Sequence, residues 1–137
     1  MALGWIYLLS LGAVHVTTLE YGNIVSKHPQ VDTLTPGRMR ELYSIGKLAL
    51  FDAIMMHSSV EHSGLGRYGD ALNPRGGGLL TIARAWCMLK PGAAMYLGVP
   101  IGRDRVAFNA HRFYGKLRFS LLATNWIQVD GDKHFFA

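Results

Sequence analysis

The sequence predicts an α/β fold, a parallel sheet with helices on both faces, and three observations carry that expectation. Short runs rich in branched side chains alternate with longer runs of helical periodicity. Residues 51–56 (FDAIMM) are almost continuously apolar, the pattern of a strand covered on both faces. The 16 glycines fall at the ends of these runs more than within one tract, as tight strand–helix loops require. With 137 residues, half of them hydrophobic and 17% charged, the chain suits one globular domain around a single core.

Residues 5–11 read as a helix that stops at Gly12. Residues 14–19 (VHVTTL) then form a strand closed by Glu20, and 31–34 form a second, shorter strand. Thr35 and Pro36 suit the N-cap and first position of a helix over 38–47. The strand at 51–56 is followed by a polar loop from His57 to Gly78. Leu79, Ile82, Ala83, Trp86 and Leu89 then recur at helical spacing, and Lys90-Pro91-Gly92 stops that helix before a strand at 93–99. A helix near 111–123 and a strand at 126–129 complete the order.

Composition bounds the function. A net charge of +5 and a pI near 9.6 favour anionic partners such as acidic metabolites or sugar phosphates. The basic residues are dispersed apart from Arg103, Arg105, Arg112, Lys116 and Arg118, and that cluster reads first as a solvated helix face. Neither an aromatic-interleaved RNA motif nor a helix-turn-helix pattern accompanies it, so nucleic acid is not the expected partner. The lone Cys87 excludes an intramolecular disulfide and lies in an apolar helical pattern, where a buried thiol and a reducing, cytoplasmic setting are expected. Residues 1–16 are apolar but short for a membrane span and carry no basic leader, so a buried helix is expected there rather than an anchor.

In parallel sheets ligands bind outside the carboxyl ends of the strands, which selects Glu20 and the loops after Met56 and Val99. A carboxylate placed like Glu20 can accept hydrogen bonds from both ribose hydroxyls of an adenosine cofactor. Ser58, Ser59, Glu61 and His62 follow a sheet strand, where a scaffold fixes polar groups beside a crevice. His62 is the candidate general base, with orientation of backbone carbonyls as the alternative. The loop GLGRYGD lacks phosphate-loop spacing. Its Arg67, Tyr68 and Asp70 either grip a substrate or order the loop through an Arg67–Asp70 pair. Asn109, His111 and Arg112 are the second group of substrate contacts, with Arg112 and Lys116 four apart on a predicted helix where they would attract an acidic acceptor. His57, Glu61, His62, Asp70 and His111 match no common metal spacing, so no metal is expected.

The stretches FDAIMMHSSVEHSGLGRYGDALNP, LLTIARAWCMLKPGAAMYLGVPIGRD and FNAHRFYG resemble a methyltransferase-like family catalogued as a domain of unknown function. The resemblance covers nearly the whole chain. Its strand-plus-EH and ARAWCMLKPG elements are shared with class I methyltransferases. It implies a Rossmann-like class I methyltransferase sheet and an S-adenosylmethionine site, with Glu20 at the ribose and Ser58, Ser59, Glu61 and His62 beside the cofactor. The resemblance carries over no acceptor; a small-molecule or glycan acceptor, with anionic ones favoured by the net positive charge, is the expectation.

Class I domains open with a strand and a glycine-rich turn roughly twenty residues before the ribose acid. Counting back from Glu20 reaches the start of the chain, so the resemblance implies a truncated domain lacking the first strand and glycine-rich loop. The final strand is also expected to be weak in 131–137. The strands ending at Glu20 and Met56 would then lack a ladder partner, favouring a homo-oligomer through an exposed sheet edge. The competing expectations are a non-catalytic Rossmann-like interaction module and, behind it, a membrane-associated protein anchored by 1–16.

Overall fold

The computed structural model describes residues 4–129. Among them it forms a mixed α/β protein with four α-helices and three two-stranded sheets, divided after Leu48 into two compact units.

In the first unit helix α1 (Gly4–Ser10) ends where Gly12 takes φ +96° and donates its N–H to Leu9 O at 3.0 Å. Strands β1 (Val16–Leu19) and β2 (Val31–Leu34) pair in parallel, Val16 opposite Val31 and Leu19 opposite Leu34. The Thr35 hydroxyl accepts the Arg38 N–H at 3.3 Å and caps helix α2 (Pro36–Ser44), with Pro36 in the first turn as its fixed φ favours. That helix stops before the expected residue 47, because Gly46 takes φ +67° and returns its N–H to Tyr43 O. Val16, Val31 and Met39 are the buried apolar side chains of this unit.

In the second unit strand β3 (Phe51–His57) leads through a 3-10 turn (Val60–His62) and helix α3 (Gly77–Met88) to strand β4 (Leu89–Gly98), parallel to β3. Strands β5 (Arg105–Ala107) and β6 (His111–Phe113) form an antiparallel hairpin, and helix α4 (Lys116–Leu122) comes next. Val60, Ile82, Tyr114 and Leu122 form the core, with Met56, Met95 and Leu97 packed against it. A parallel bridge from Ile101 to Tyr114 ties the chain leaving β4 to the chain leaving β6.

Several expectations are corrected. The mixed α/β class holds, and among the described residues the sheets are small, each of two strands. With only β4 beside it, β3 is part-exposed rather than covered on both faces. Helix α3 buries Gly78, Ile82, Ala85 and Met88, leaving Leu79, Trp86 and Cys87 exposed. It is apolar on nearly every side, so periodicity did not fix which side faces inward. The phase is set by Gly78, the place where the Tyr114 hydroxyl and Val60 pack against the helix.

Lys90-Pro91-Gly92 lies inside β4 as an irregularity opposite Phe51–Ala53, instead of separating helix from strand. The helix expected over 111–123 begins only at Lys116, because His111–Phe113 pairs with β5. Arg112 therefore shares no helix with Lys116, and no solvated helical face joins their charges. Residues 126–129 form no strand: Asn125 at φ +67° turns the chain so that Trp126 meets Trp86 edge-on at 5.1 Å. The weak pattern at 131–137 lies outside the described residues. Among those residues, no helix is long and apolar enough to cross a membrane.

Asp104 holds the start of α4. Its carboxylate accepts the N–H groups of Gly115 at 2.7 Å, Leu117 at 3.1 Å and Arg118 at 3.1 Å, donors that the first helical turn leaves unpaired. Desolvation raises the carboxyl pKa, but these three donors and the Arg118 charge outweigh it and hold the group below the usual carboxylate range. A depressed folded pKa contributes stability above the unfolded value of about 3.9 and loses it as pH falls through the folded one. Asp104→Asn is therefore expected to lower Tm at pH 7, with the two melting curves converging as pH falls through the depressed folded value. A mutant deficit that does not shrink on acidification would contradict this assignment.

Candidate functional site

Polar side chains gather beyond the carboxyl end of β3. Ser58 takes the left-handed φ of +49° while its N–H reaches Gly98 O at 3.0 Å, turning the chain sharply as it leaves the sheet. Ser58 and Ser59 are exposed, Val60 goes into the core, and Glu61 is 2% exposed.

His62 comes next and is partly buried. Its Nδ1 lies 2.6 Å from Ala110 O, and because a carbonyl only accepts, Nδ1 carries the proton. Nε2 is then the lone-pair nitrogen of the neutral ring, and it lies 3.7 Å from Glu61 Oε1. Two acceptors facing each other at that distance require a donor between them or a proton on one of them. Glu61 Oε2 is buried without a hydrogen-bond partner.

The loop between the 3-10 turn and α3 is ordered from within, though not by the expected Arg67–Asp70 pair. The Asp70 carboxylate accepts the N–H of Gly64 and, at 3.4 Å, that of Tyr68. Arg67 instead reaches across to Asn109 O at 3.1 Å. Asn109 takes φ +54° in the β5–β6 turn, a conformation asparagine tolerates well.

Arg112 is 1% exposed. Its Nη1 donates to Ser63 O at 2.5 Å and Glu61 O at 3.3 Å, its Nη2 to Pro74 O at 2.8 Å and Asn73 O at 3.4 Å, and its Nε to Pro74 O at 3.3 Å. One planar fork from β6 thus holds both ends of the 63–74 loop. Desolvation pulls its pKa down, and the Asp70 carboxylate is among the groups that oppose this. Burial also pushes the neighbouring Tyr114 phenol up to about 12, with Arg112 opposing, so Tyr114 stays protonated and donates to Val60 O.

The structure brings Glu61, His62, Arg67, Tyr68, Asp70, Asn109, His111 and Arg112 into one region of the second unit, where His62 meets Tyr68 edge-on at 5.4 Å and His111 at 6.2 Å. Within this group Arg112 is an internal clamp, and Asp70 serves its own loop. Glu20 belongs to the first unit, directly after β1, with its N–H on Leu34 O at 3.0 Å. Sequence reasoning passed over Phe113 and counted Arg105 only in a basic cluster on a helix face, whereas Arg105 lies in β5 and stacks on Phe113 with the guanidinium carbon 3.9 Å from the ring centroid. The available signal was the turn-forming Asn109 between two short runs, which marks a hairpin.

A family model described as Caenorhabditis protein of unknown function, DUF268, matches residues 5–133. The match spans most of the chain, and the chain belongs to that family. No curated protein and no solved structure matches it.

Proposed function

We propose that this member of the DUF268 family is a methyl-transfer module that binds S-adenosylmethionine. The observation that carries the reading is strand pairing. In the doubly wound order the second and third strands are neighbours, the fourth and fifth are neighbours, and the first lies between the two pairs. The β1–β2 and β3–β4 pairs, each parallel, are what that Rossmann-like order contains on either side of its first strand. Glu20 follows β1 in the first unit, and Ser58, Ser59, Glu61 and His62 follow β3 in the second, which supports this reading. Glu20 would take the ribose hydroxyls, the residues after β3 would line the cofactor, and His62 Nε2 would accept the proton released by the methyl acceptor.

Calorimetry of the whole chain with S-adenosylmethionine tests this. Saturable binding is expected, weakened about tenfold or more in Glu20→Ala by loss of charge-assisted hydrogen bonds. No binding by a chain shown to be folded would remove the reading. It would leave a non-catalytic interaction module, which one observation favours: among the described residues each parallel pair stops at two strands, so backbone groups at its edges are available to another chain.

A further inference from the structure

A continuous stripe of rings crosses the second unit, and each end carries an arginine. Arg105 stacks on Phe113, whose centroid lies 4.8 Å from that of His111. His111 meets His62 at 6.2 Å, His62 meets Tyr68 at 5.4 Å, and Arg67 lies 5.8 Å from the Tyr68 ring. Tyr68 is 55% exposed, and both arginines are exposed. The acids nearby are turned elsewhere: Asp70 to the N–H groups of Gly64 and Tyr68, Asp104 to the start of α4, and Glu61 inward. The free charge of the stripe is therefore positive, while its middle offers the acceptor His62 Nε2.

We propose that this stripe binds an anionic sugar, a pyranose carrying a phosphate or carboxylate, with the anion on an arginine and the ring over Tyr68 and His62. The neighbouring rings stand at 56°, 76° and 84° to one another. Such edge-on packing gives no parallel-walled slot for a planar base, whereas a sugar needs a single apolar face and acceptors for its hydroxyls. A sugar hydroxyl can donate to His62 Nε2, the ring nitrogen left as an acceptor once Nδ1 donates to Ala110 O. Arginine suits the anion because its fork matches phosphate and carboxylate oxygens. The inference deepens the methyl-transfer reading by naming the acceptor class, and rests on that reading only in calling the ligand an acceptor.

The test uses the whole chain without any methyl donor, with glucose 6-phosphate, glucose, inorganic phosphate and adenosine monophosphate as probes in calorimetry and saturation-transfer NMR. Glucose 6-phosphate is expected to bind about tenfold or more tightly than glucose or phosphate alone, because it engages rings and arginines together. Tyr68→Ala should weaken both sugars, and the Arg67→Ala, Arg105→Ala double variant should remove only the gain from the phosphate. These side chains are exposed, and unchanged thermal melting verifies that the variants fold. Phosphate alone binding as well as glucose 6-phosphate, adenosine monophosphate binding more tightly, variants matching the parent, or no binding by the folded parent would each overturn the proposal. Because S-adenosylmethionine is left out, failure here leaves the methyl-donor result standing, and the converse holds too.

Discussion

Arg112→Met is expected to destabilise the protein by about 3–5 kcal/mol, measured by denaturant unfolding. Methionine fills much of the volume of the arginine stem, so the cost is polar rather than a cavity. Ser63 O and Pro74 O lose the short bonds at 2.5 and 2.8 Å, each a charge-assisted bond worth roughly 1.5–3 kcal/mol. Asn73 O loses less, because it also accepts the Gly77 N–H at 2.8 Å. Relief from desolvating the guanidinium offsets part of the loss but leaves buried carbonyls without donors, the costlier side of the exchange. Arg112→Lys should recover under half the deficit, since an ammonium cannot fork to both ends of the 63–74 loop. Arg103→Met, at an exposed position, should stay within about 0.5 kcal/mol of the parent. A loss below about 1 kcal/mol for Arg112→Met would mean that the loop is held by other contacts.

Arg112 also shows where sequence reading stops. Its position beside His111 and its charge marked it for a ligand, but a cation used inside the fold has the same letter as one used outside. Nothing in RFYG announces that four main-chain carbonyls converge there. Features set by local chemistry were legible: the Gly12 stop, the Thr35–Pro36 cap, the strands at 31–34 and 51–57, and α3. The polar run after β3 was also readable as a loop, because its turn-forming and polar residues interrupt the apolar pattern.

The features decided by tertiary contacts were not legible. Helix α3 could have buried any of several apolar sides, and the choice fell to its fit against Tyr114 and Val60. Residues 111–113 carry no helix breaker of their own, and only pairing with β5 makes them a strand. The run at 126–129 is β-rich, yet a strand needs a ladder partner, and Trp126 docks on Trp86 instead.

These points bear on the site. The polar group after β3 is positioned by two devices far apart in sequence, the Arg112 fork and the Ala110 carbonyl that orients His62. Both come from the β5–β6 hairpin. Its turn also supplies the Asn109 carbonyl that holds Arg67, so one hairpin sets the posture of the base and of one arginine of the ring stripe. Changes in the turn at Asn109 and Ala110 should therefore reach ligand binding without touching ligand.

Gly77→Ala tests the other half of this arrangement, and its sign is diagnostic. Within a helix, alanine is favoured over glycine by about 1 kcal/mol, so helix propensity alone predicts that the variant gains stability. Here a Cβ would fall on the Ser63 carbonyl oxygen and lie 2.7 Å from Gly64 Cα, main-chain atoms that no rotamer change can move aside. Gly64 is itself fixed at φ +78°, with its own Cβ direction blocked by Asn73 O, so the two glycines cross with no slack on either side. Overpacking against backbone outweighs propensity, and a net loss of about 3 kcal/mol or more is expected in denaturant unfolding. The displaced loop carries Arg67 and Tyr68, so sugar binding should weaken alongside stability. Gly22→Ala, with open space around it and ordinary backbone angles, should change stability by under about 0.5 kcal/mol. A Gly77→Ala variant as stable as the parent would show that 63–64 does not close against the start of α3, and the clamp attributed to Arg112 would fall with it.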